Sequence, residues 1–308
     1  MTQKTSDKKP QYNAEPFEAR IFNRALIKER RDRMAENFIK HDFLKCEVSA
    51  RLIDNLQDIK RDFKTIANLN CDSQILRDAY QEAFIINQDL SYPMLKTNPA
   101  LNIQADEELI PFQKQSLDLI LSCLTLHWVN DLPGTLFQML GSLKADGLFL
   151  GALFGGETLK ELRQAMLMAD MDHRGGISPH ISPFIDVRDA GALMQRAGFA
   201  LPVVSTERIT VTYKDTFSLM KELKAMGENN ALIKNHKGFS SKRLMMRTSE
   251  HYQALYANHN GRIPATFDII YLQGWAPHEN QQKPLKPGSG KMFLKDALGK
   301  APPKNNSL

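Results

Sequence analysis

Cysteine is scarce. Cys46, Cys71 and Cys123 are the three in 308 residues, and they show neither metal-ligand spacing nor a pairing framework. That excludes a disulfide-stapled secreted domain and points to a reducing compartment, the cytoplasm. Long apolar runs are also missing, so no transmembrane segment is expected. The first residues, MTQKTSDKKPQYNAEP, contain no apolar stretch, which argues against a secretory signal. They are poor in Arg and include Asp7 and Glu15, so a mitochondrial presequence, and with it a matrix location, is the lesser expectation. No facial triad or haem motif is present, and His127, His173 and His180 lack ligand spacing, so no metal site is expected. The body of the chain also lacks positive charge. The net charge is +5, yet residues 1–40 hold 10 Lys+Arg against 6 Asp+Glu and residues 275–308 hold 6 against 2. Residues 41–274 are left with 24 against 27. A nucleic-acid domain would carry its basic excess on a folded face, so no nucleic-acid partner is expected. The basic ends read as solubilising tails, or as a tail that docks an acidic protein.

What is present is best seen at Leu117–Leu143, LDLILSCLTLHWVNDLPGTLFQMLGSL. An apolar run with Asp118 near its start suits a central parallel strand, and an amphipathic helix follows. After Lys144-Ala145-Asp146-Gly147, a tight turn, comes the apolar run LFLGALFGG. Strand, helix, strand is a βαβ unit and implies a parallel sheet, with ligands beyond the carboxyl ends of its strands. Ser122, His127, Trp128 and Gly155-Gly156 then lie on that rim.

Around this unit the pattern predicts a charged helix over 17–40, with Phe17, Ile21, Leu26, Met34 and Phe38 as apolar positions. A second helix is expected over 46–56. Strands are expected at 63–69, 84–89, 101–105, 117–122 and 148–153, with a short helix at 75–81. A helix over 158–171 has Thr158 and Glu161 spaced as a capping box. A helix over 189–197 closes at Gly198. The last third adds a strand at 203–213, helices at 217–226 and 240–257, and a strand at 267–275. Three regions are expected: a disordered terminus at 1–15, one α/β domain at 16–276 with a helical insertion at about 216–262, and a loose basic tail at 277–308.

Several stretches carry a family resemblance. They are IFNRALIKERRDRMAENFIKHDFL, LHWVNDLP at 126–133, LFGGETLKELR at 153–163, GGISPHISPF at 175–184, LMQRAGF at 193–199 and LMKELKAMGENNAL at 219–232. The chain resembles the S-adenosylmethionine-dependent methyltransferase superfamily, and within it the mitochondrial complex I assembly factor 5 family and its bacterial relatives. The resemblance implies a class I, Rossmann-like seven-stranded sheet with a helical N-terminal extension and a helical insertion before the last strand. It implies S-adenosylmethionine as cofactor, with binding that the altered first turn weakens or loses. It also implies a protein substrate, a subunit of respiratory complex I whose arginine is hydroxylated. LHW and GxxTLxEL are shared with malonyl-carrier O-methyltransferases.

Asp89, at the end of FIINQD, and Leu90 match the superfamily's ribose-binding text. Asp89 equally suits a helix N-cap. Asp106 and Glu107 in NIQADEEL match the adenine position and also suit a solvated turn. The family's first turn reads L-D-L-G-C-G-x-G. Here it reads Leu69-Asn70-Cys71-Asp72-Ser73-Gln74, with Asn68 in place of the aspartate. Three glycines are replaced. Asn70 and Asp72 belong to the residues that best tolerate a left-handed backbone; Gln74 does not. Asn68, Asn70, Asp72, Asp89, Leu90, Asp106, Glu107 and Ser122 are thus the candidate cofactor residues. His127, Trp128, His180 and Phe184 are the candidate substrate residues, although Trp128 also suits core packing against the following helix and His127 a backbone-bonded turn. The catalytic residues are not identified. Three readings stay open: an assembly factor that modifies or chaperones a protein, a carboxyl or small-molecule methyltransferase, and a binding module without catalysis.

Overall fold

A computed structural model describes residues 20–96, 98, 101–174, 176, 178–233 and 241–282. The expectations for residues 1–15, for Phe17, for Gly175 and for most of the basic tail fall outside them. Contacts along the chain separate a large unit, 1–277, from a small one, 278–308. Of the small unit the described part is a turn in which Gln281 N–H donates to His278 O.

Seven strands form one sheet. They are β1 (Thr65–Leu69), β2 (Phe84–Asp89), β3 (Leu101–Gln104), β4 (Leu117–Cys123), β5 (Leu143–Phe154), β6 (Ala200–Tyr213) and β7 (Ile263–Trp275), in the order β3-β2-β1-β4-β5-β7-β6. The first five run parallel; β7 is antiparallel to both β5 and β6. The chain order reverses between β1 and β4, which places the ligand-binding crevice at their carboxyl ends. Nine helices surround the sheet among the described residues: α1 (Arg24–Met34), α2 (Phe43–Gln57), α3 (Ser73–Ala79), α4 (Tyr92–Leu95), α5 (Leu132–Ser142), α6 (Lys160–Arg174), α7 (Val187–Ala197), α8 (Thr216–Ala225) and α9 (Lys242–Tyr256). The helices α8 and α9 form the insertion before the last strand.

Alternation along each strand builds two cores. Ile66, Leu119, Leu121 and Leu150 face a layer made by α2, α3, α6, α8 and α9. Ala67, Leu69, Ile120, Phe149 and Leu153 face α5 and α7. β4 and the second half of β5 therefore read as continuous apolar runs, because both faces are covered there. Asp118 stands where β4 begins. Its Oδ2 accepts the N–H groups of Lys64 (3.2 Å) and Thr65 (2.9 Å), and its Oδ1 accepts Lys144 Nζ (2.9 Å).

Three local expectations change. The Lys144–Gly147 turn is a bulge inside β5 rather than a link before it: Leu117 pairs with Leu143 and Leu119 with Leu148, and Asp146 takes φ +62°. Thr158 and Glu161 do not form a capping box. Thr158 Oγ1 donates to Asp268 O (3.0 Å) and accepts Asp268 N–H (3.1 Å), while Glu161 accepts Thr266 N–H (3.1 Å) and its hydroxyl. Both side chains tie α6 to β7. The first helix ends at Met34, and its inward stripe is Arg24, Ile27, Arg31 and Met34; Ile21 is exposed and Leu26 half-buried. The helix over 187–197 ends as expected, with Gly198 at φ +95° and N–H bonds from Gly198 to Gln195 O and from Phe199 to Met194 O.

Candidate functional site

The site begins with the N-terminal extension, which crosses the carboxyl ends of β1, β2 and β4. Asn130 Oδ1 accepts the N–H groups of Ile21 (2.8 Å) and Phe22 (2.7 Å). Asn23 N–H donates to Ala231 O, and Ile233 N–H to Ile21 O. Asn23 then caps α1 by accepting Leu26 N–H (3.0 Å). Arg24 and Arg31 are seven residues apart, two turns or about 10.5 Å along the helix, so they share one face. That face is turned to the crevice.

Arg31 reaches the end of β2. Its Nε donates to Asp89 Oδ1 (3.1 Å), its Nη2 to Asp89 Oδ2, and Nη2 also to Asn70 Oδ1 (3.0 Å). Both residues of the ion pair are buried. Burial works against the Arg31 charge, but Asp89, with the fields of Glu107 and Glu228, outweighs it and raises the pKa. Asp89 Oδ1 also accepts Ser91 N–H (2.7 Å), so it shapes the turn into α4 as well. Arg24 does the same one strand further. Its Nη2 donates to Asp106 Oδ1 (2.6 Å) and to Glu107, its Nε to Asp106 Oδ2 (3.2 Å), and its Nη1 to Trp128 O (3.2 Å). Burial pushes the Glu107 carboxyl up, against the pull of Arg24 and Arg31.

The other expected cofactor residues are held within the fold. Asn68 is buried in a ladder across three strands: its Nδ2 donates to Asn87 Oδ1 (2.8 Å), and Asn87 Nδ2 to Asn102 Oδ1 (3.2 Å). Asn70 takes the left-handed backbone, φ +67°, and its Nδ2 donates to Cys123 O (3.0 Å). Asp72 keeps an extended backbone and caps α3 by accepting Gln74 N–H (2.9 Å) and Ile75 N–H (3.0 Å). Ser122 is buried and shares a hydrogen bond with Thr125 (3.1 Å). Leu90 packs with Phe22, Ile27, Trp128 and Ala231.

A second cluster lies on the other side of the rim. His127 and Trp128 occupy a short 3-10 turn after β4 and are both buried. Trp128 packs on Phe22 of the extension (centroids 5.3 Å apart, edge to face). His127 packs between Phe154 (4.5 Å) and Phe184 (5.9 Å). Glu228, after α8, receives both polar tips: its Oε2 accepts Trp128 Nε1–H (3.1 Å) and meets His127 Nε2 (3.1 Å). The carboxylate makes the Nε2–H tautomer of His127 the matching one. His180 Nε2 meets the fully buried Asp170 (2.8 Å), whose Oδ2 also accepts Ser178 N–H (3.0 Å).

Two adjoining cavities lie against this cluster. One, about 240 Å³, is bordered by Trp128, Phe184, His180, Met220, Glu228 and Asn230. The other, about 550 Å³, shares Met166, His180, Ile181, Ser182 and Phe184 with it and extends to Gly156 and Arg163. The sequence pattern brings His127, Trp128, His180 and Phe184 into view, and the fold brings them together. It adds Glu228, Asp170, Arg24 and Arg31. Glu228 stands in MGENNAL with no periodicity to mark it. The arginines stand at 3-4-3 helical spacing with Ile27 and Met34, a stripe that the charged helix hides in the sequence.

The nucleoside corner does not fit S-adenosylmethionine in this arrangement. Asp89 and Asp106-Glu107 are bonded to arginines of the same chain, and the two cavities bordering Asn70 measure about 20 Å³ each. Ligand pockets run to roughly 300 Å³ or more.

Sheet order and crevice together define a methyltransferase-fold α/β protein. A family model described as a methyltransferase domain matches residues 70–151. The phosphoethanolamine N-methyltransferase 2 of Haemonchus contortus, solved with S-adenosylhomocysteine, shares the fold (TM-score 0.50, 12% identity, 82% of this chain and 61% of that one). Sequence relatives are more specific. Arginine-hydroxylase NDUFAF5, mitochondrial, of Mus musculus is 40% identical over 290 residues, covering 91% of this chain and 84% of that protein. The malonyl-[acyl-carrier protein] O-methyltransferase of Gallionella capsiferriformans is 30% identical over 275 residues, 83% of this chain and 92% of that protein. The chain belongs to the NDUFAF5 arginine-hydroxylase family. No helix among the described residues is long and apolar enough to cross a membrane.

Proposed function

We propose that this chain acts on an arginine side chain of a protein, a subunit of respiratory complex I, as the family to which it belongs suggests. One observation carries the reading: Glu228 stands in an aromatic-lined cavity, its carboxylate oriented by the indole of Trp128 and the ring of His127. A guanidinium is planar, permanently charged and rich in donors. A carboxylate with aromatic faces around it is the chemistry that recognises one. The larger cavity, under Ser178–Phe184, receives the polypeptide next to that arginine. Prolines 179 and 183 stiffen the loop and lower the entropy cost of docking. His180, oriented by Asp170, is placed to hold or move a proton at the cavity mouth. The three free cysteines fit a reducing compartment, and we place the chain in the cytoplasm.

The second reading, carboxyl methylation of a malonyl carrier, is supported by the 30% identical relative. The arginine-filled nucleoside corner weighs against it, because methyl transfer needs the cofactor that corner would hold.

The test is affinity capture from cell extract with wild type and with the double variant His180→Ala, Phe184→Ala. The wild type is expected to recover a complex I subunit and the double variant to lose it. Equal recovery by both would remove the loop from the docking site. Methyl transfer to an acyl carrier without any complex I subunit would replace the first reading with the second.

A further inference from the structure

We infer that the nucleoside corner of this chain is a guanidinium socket filled in cis, and that Arg31 and the ribose of a nucleoside cofactor compete for Asp89. Both oxygens of Asp89 are engaged: Oδ1 by Arg31 Nε and Ser91 N–H, Oδ2 by Arg31 Nη2. A carboxylate that binds two ribose hydroxyls uses the same lone pairs. The ion pair is buried, so the hydroxyls would have to displace charge-assisted bonds with neutral ones.

One of the three replaced glycines belongs to the same contact. Asn70 stands where the family's turn has glycine. Its Oδ1 accepts from Arg31 Nη2, and its Nδ2 donates to Cys123 O. Glycine can do neither. Asn70 also keeps the left-handed backbone that the turn requires, φ +67°, at a residue type that tolerates it. Loss of the glycine and arrival of the arginine are thus two halves of one interaction. Asp72 and Asn68 are likewise committed inside the fold, to the α3 cap and to the asparagine ladder. Arg24 repeats the arrangement two turns earlier on Asp106 and Glu107. One helix face therefore carries a guanidinium to both acidic positions that would meet the nucleoside.

Tethering strengthens the competitor. An arginine on the same chain acts at an effective concentration on the order of millimolar or more, so a free cofactor must outbid it. This inference goes beyond the arginine-modifying reading and is independent of it, since its test measures nucleoside binding rather than modification.

The full chain is titrated calorimetrically with S-adenosylmethionine and with S-adenosylhomocysteine, and hydrogen exchange of the α1 amides is followed with and without ligand. The wild type is expected to bind with Kd near ~1 mM or weaker. Arg31→Ala is expected to bind at least about tenfold more tightly. Arg31→Lys keeps the buried charge but not the forked donors, so it should shift the same way by less. Circular dichroism establishes that each variant is folded. Asp89→Ala, added to either variant, should abolish the gain. Micromolar binding by the wild type supports competition when the α1 amides lose protection on binding. Micromolar binding with that protection unchanged overturns the inference. Wild-type affinity in a folded Arg31→Ala or Arg31→Lys overturns it as well.

Discussion

Glu228, Asp89 and Arg31 show what single residues decide here. Glu228 accepts from Trp128 and faces His127. A charged hydrogen bond is worth about 1.5–3 kcal/mol, roughly ten- to a hundredfold in affinity. Glu228→Gln is nearly isosteric, so it should weaken capture of an arginine-bearing partner by that factor while leaving the melting temperature within a few degrees. Equal capture would mean that the cavity does not read charge. Asp89 and Arg31 form a buried pair, and breaking either side leaves the other charge uncompensated. Asp89→Ala and Arg31→Ala should each cost about 3–5 kcal/mol in urea unfolding. The double variant should cost clearly less than the sum, because both single losses contain the same contact. Additive costs would mean that the two side chains do not depend on each other.

These residues were unevenly legible. Asp89 is marked by the end of an apolar strand, and its acidic partners by a turn. Arg31 is not, because an arginine inside a charged helix reads as a solvated face; burial comes from a carboxylate 58 positions away. Glu228 sits in a loop, where neither alternation nor helical spacing signals direction. The same loop supplies Asn229 and Asn230, whose carbonyls accept from Arg30 and so join the extension to the rim.

At the scale of elements, strand positions follow from apolar runs, and long-range ties do not. Thr158 and Glu161 have capping-box spacing, yet their partners are Asp268 and Thr266, more than a hundred residues later. Local spacing cannot show that a distant strand competes for the same oxygens. Thr158→Val should therefore destabilise the link between α6 and β7 by about 1–3 kcal/mol, by taking the side-chain acceptor from the buried Asp268 N–H, while Asp268 O keeps the Gly155 N–H. A change in unfolding free energy below about 0.5 kcal/mol would contradict the tie. Asp118 gives a pH-dependent counterpart. Burial works to raise its pKa, but Lys144 and the N–H groups of Thr65 and Lys64 outweigh that and hold it below the ordinary 3.8. Its folded pKa is depressed, so its contribution is fully present above about 3.8 and is lost as pH falls through and below that value. Compared with Asp118→Asn, the wild type should have the higher urea midpoint at neutral pH, and the gap should narrow as pH falls below 3.8. A gap independent of pH would show that the carboxylate charge is not what joins β1, β4 and β5.

Over the whole molecule, the sheet of five parallel strands with an antiparallel β7 was implied by the βαβ unit and by the family resemblance. Helices on both faces follow from the continuously buried central strands β4 and β5. The N-terminal extension was readable as a helix, but not as the element that closes the nucleoside corner. That assignment needs the spatial meeting of β1, β2 and β4, which no local pattern encodes. The crevice thus holds a corner occupied by the chain's own arginines and, adjoining it through Glu228, a rim cavity bordered by Trp128, His180 and Phe184.

Mass spectrometry of complex I subunits from cells lacking this chain, complemented with wild type or with Glu228→Gln, tests the proposal that the rim cavity around Glu228 binds an arginine of such a subunit. An arginine carrying the mass of one added oxygen is expected with wild type, and the same arginine unmodified with the deletion and with the variant. The same arginine modified in all three, or a methyl ester on a carrier protein as the one difference between them, would contradict it.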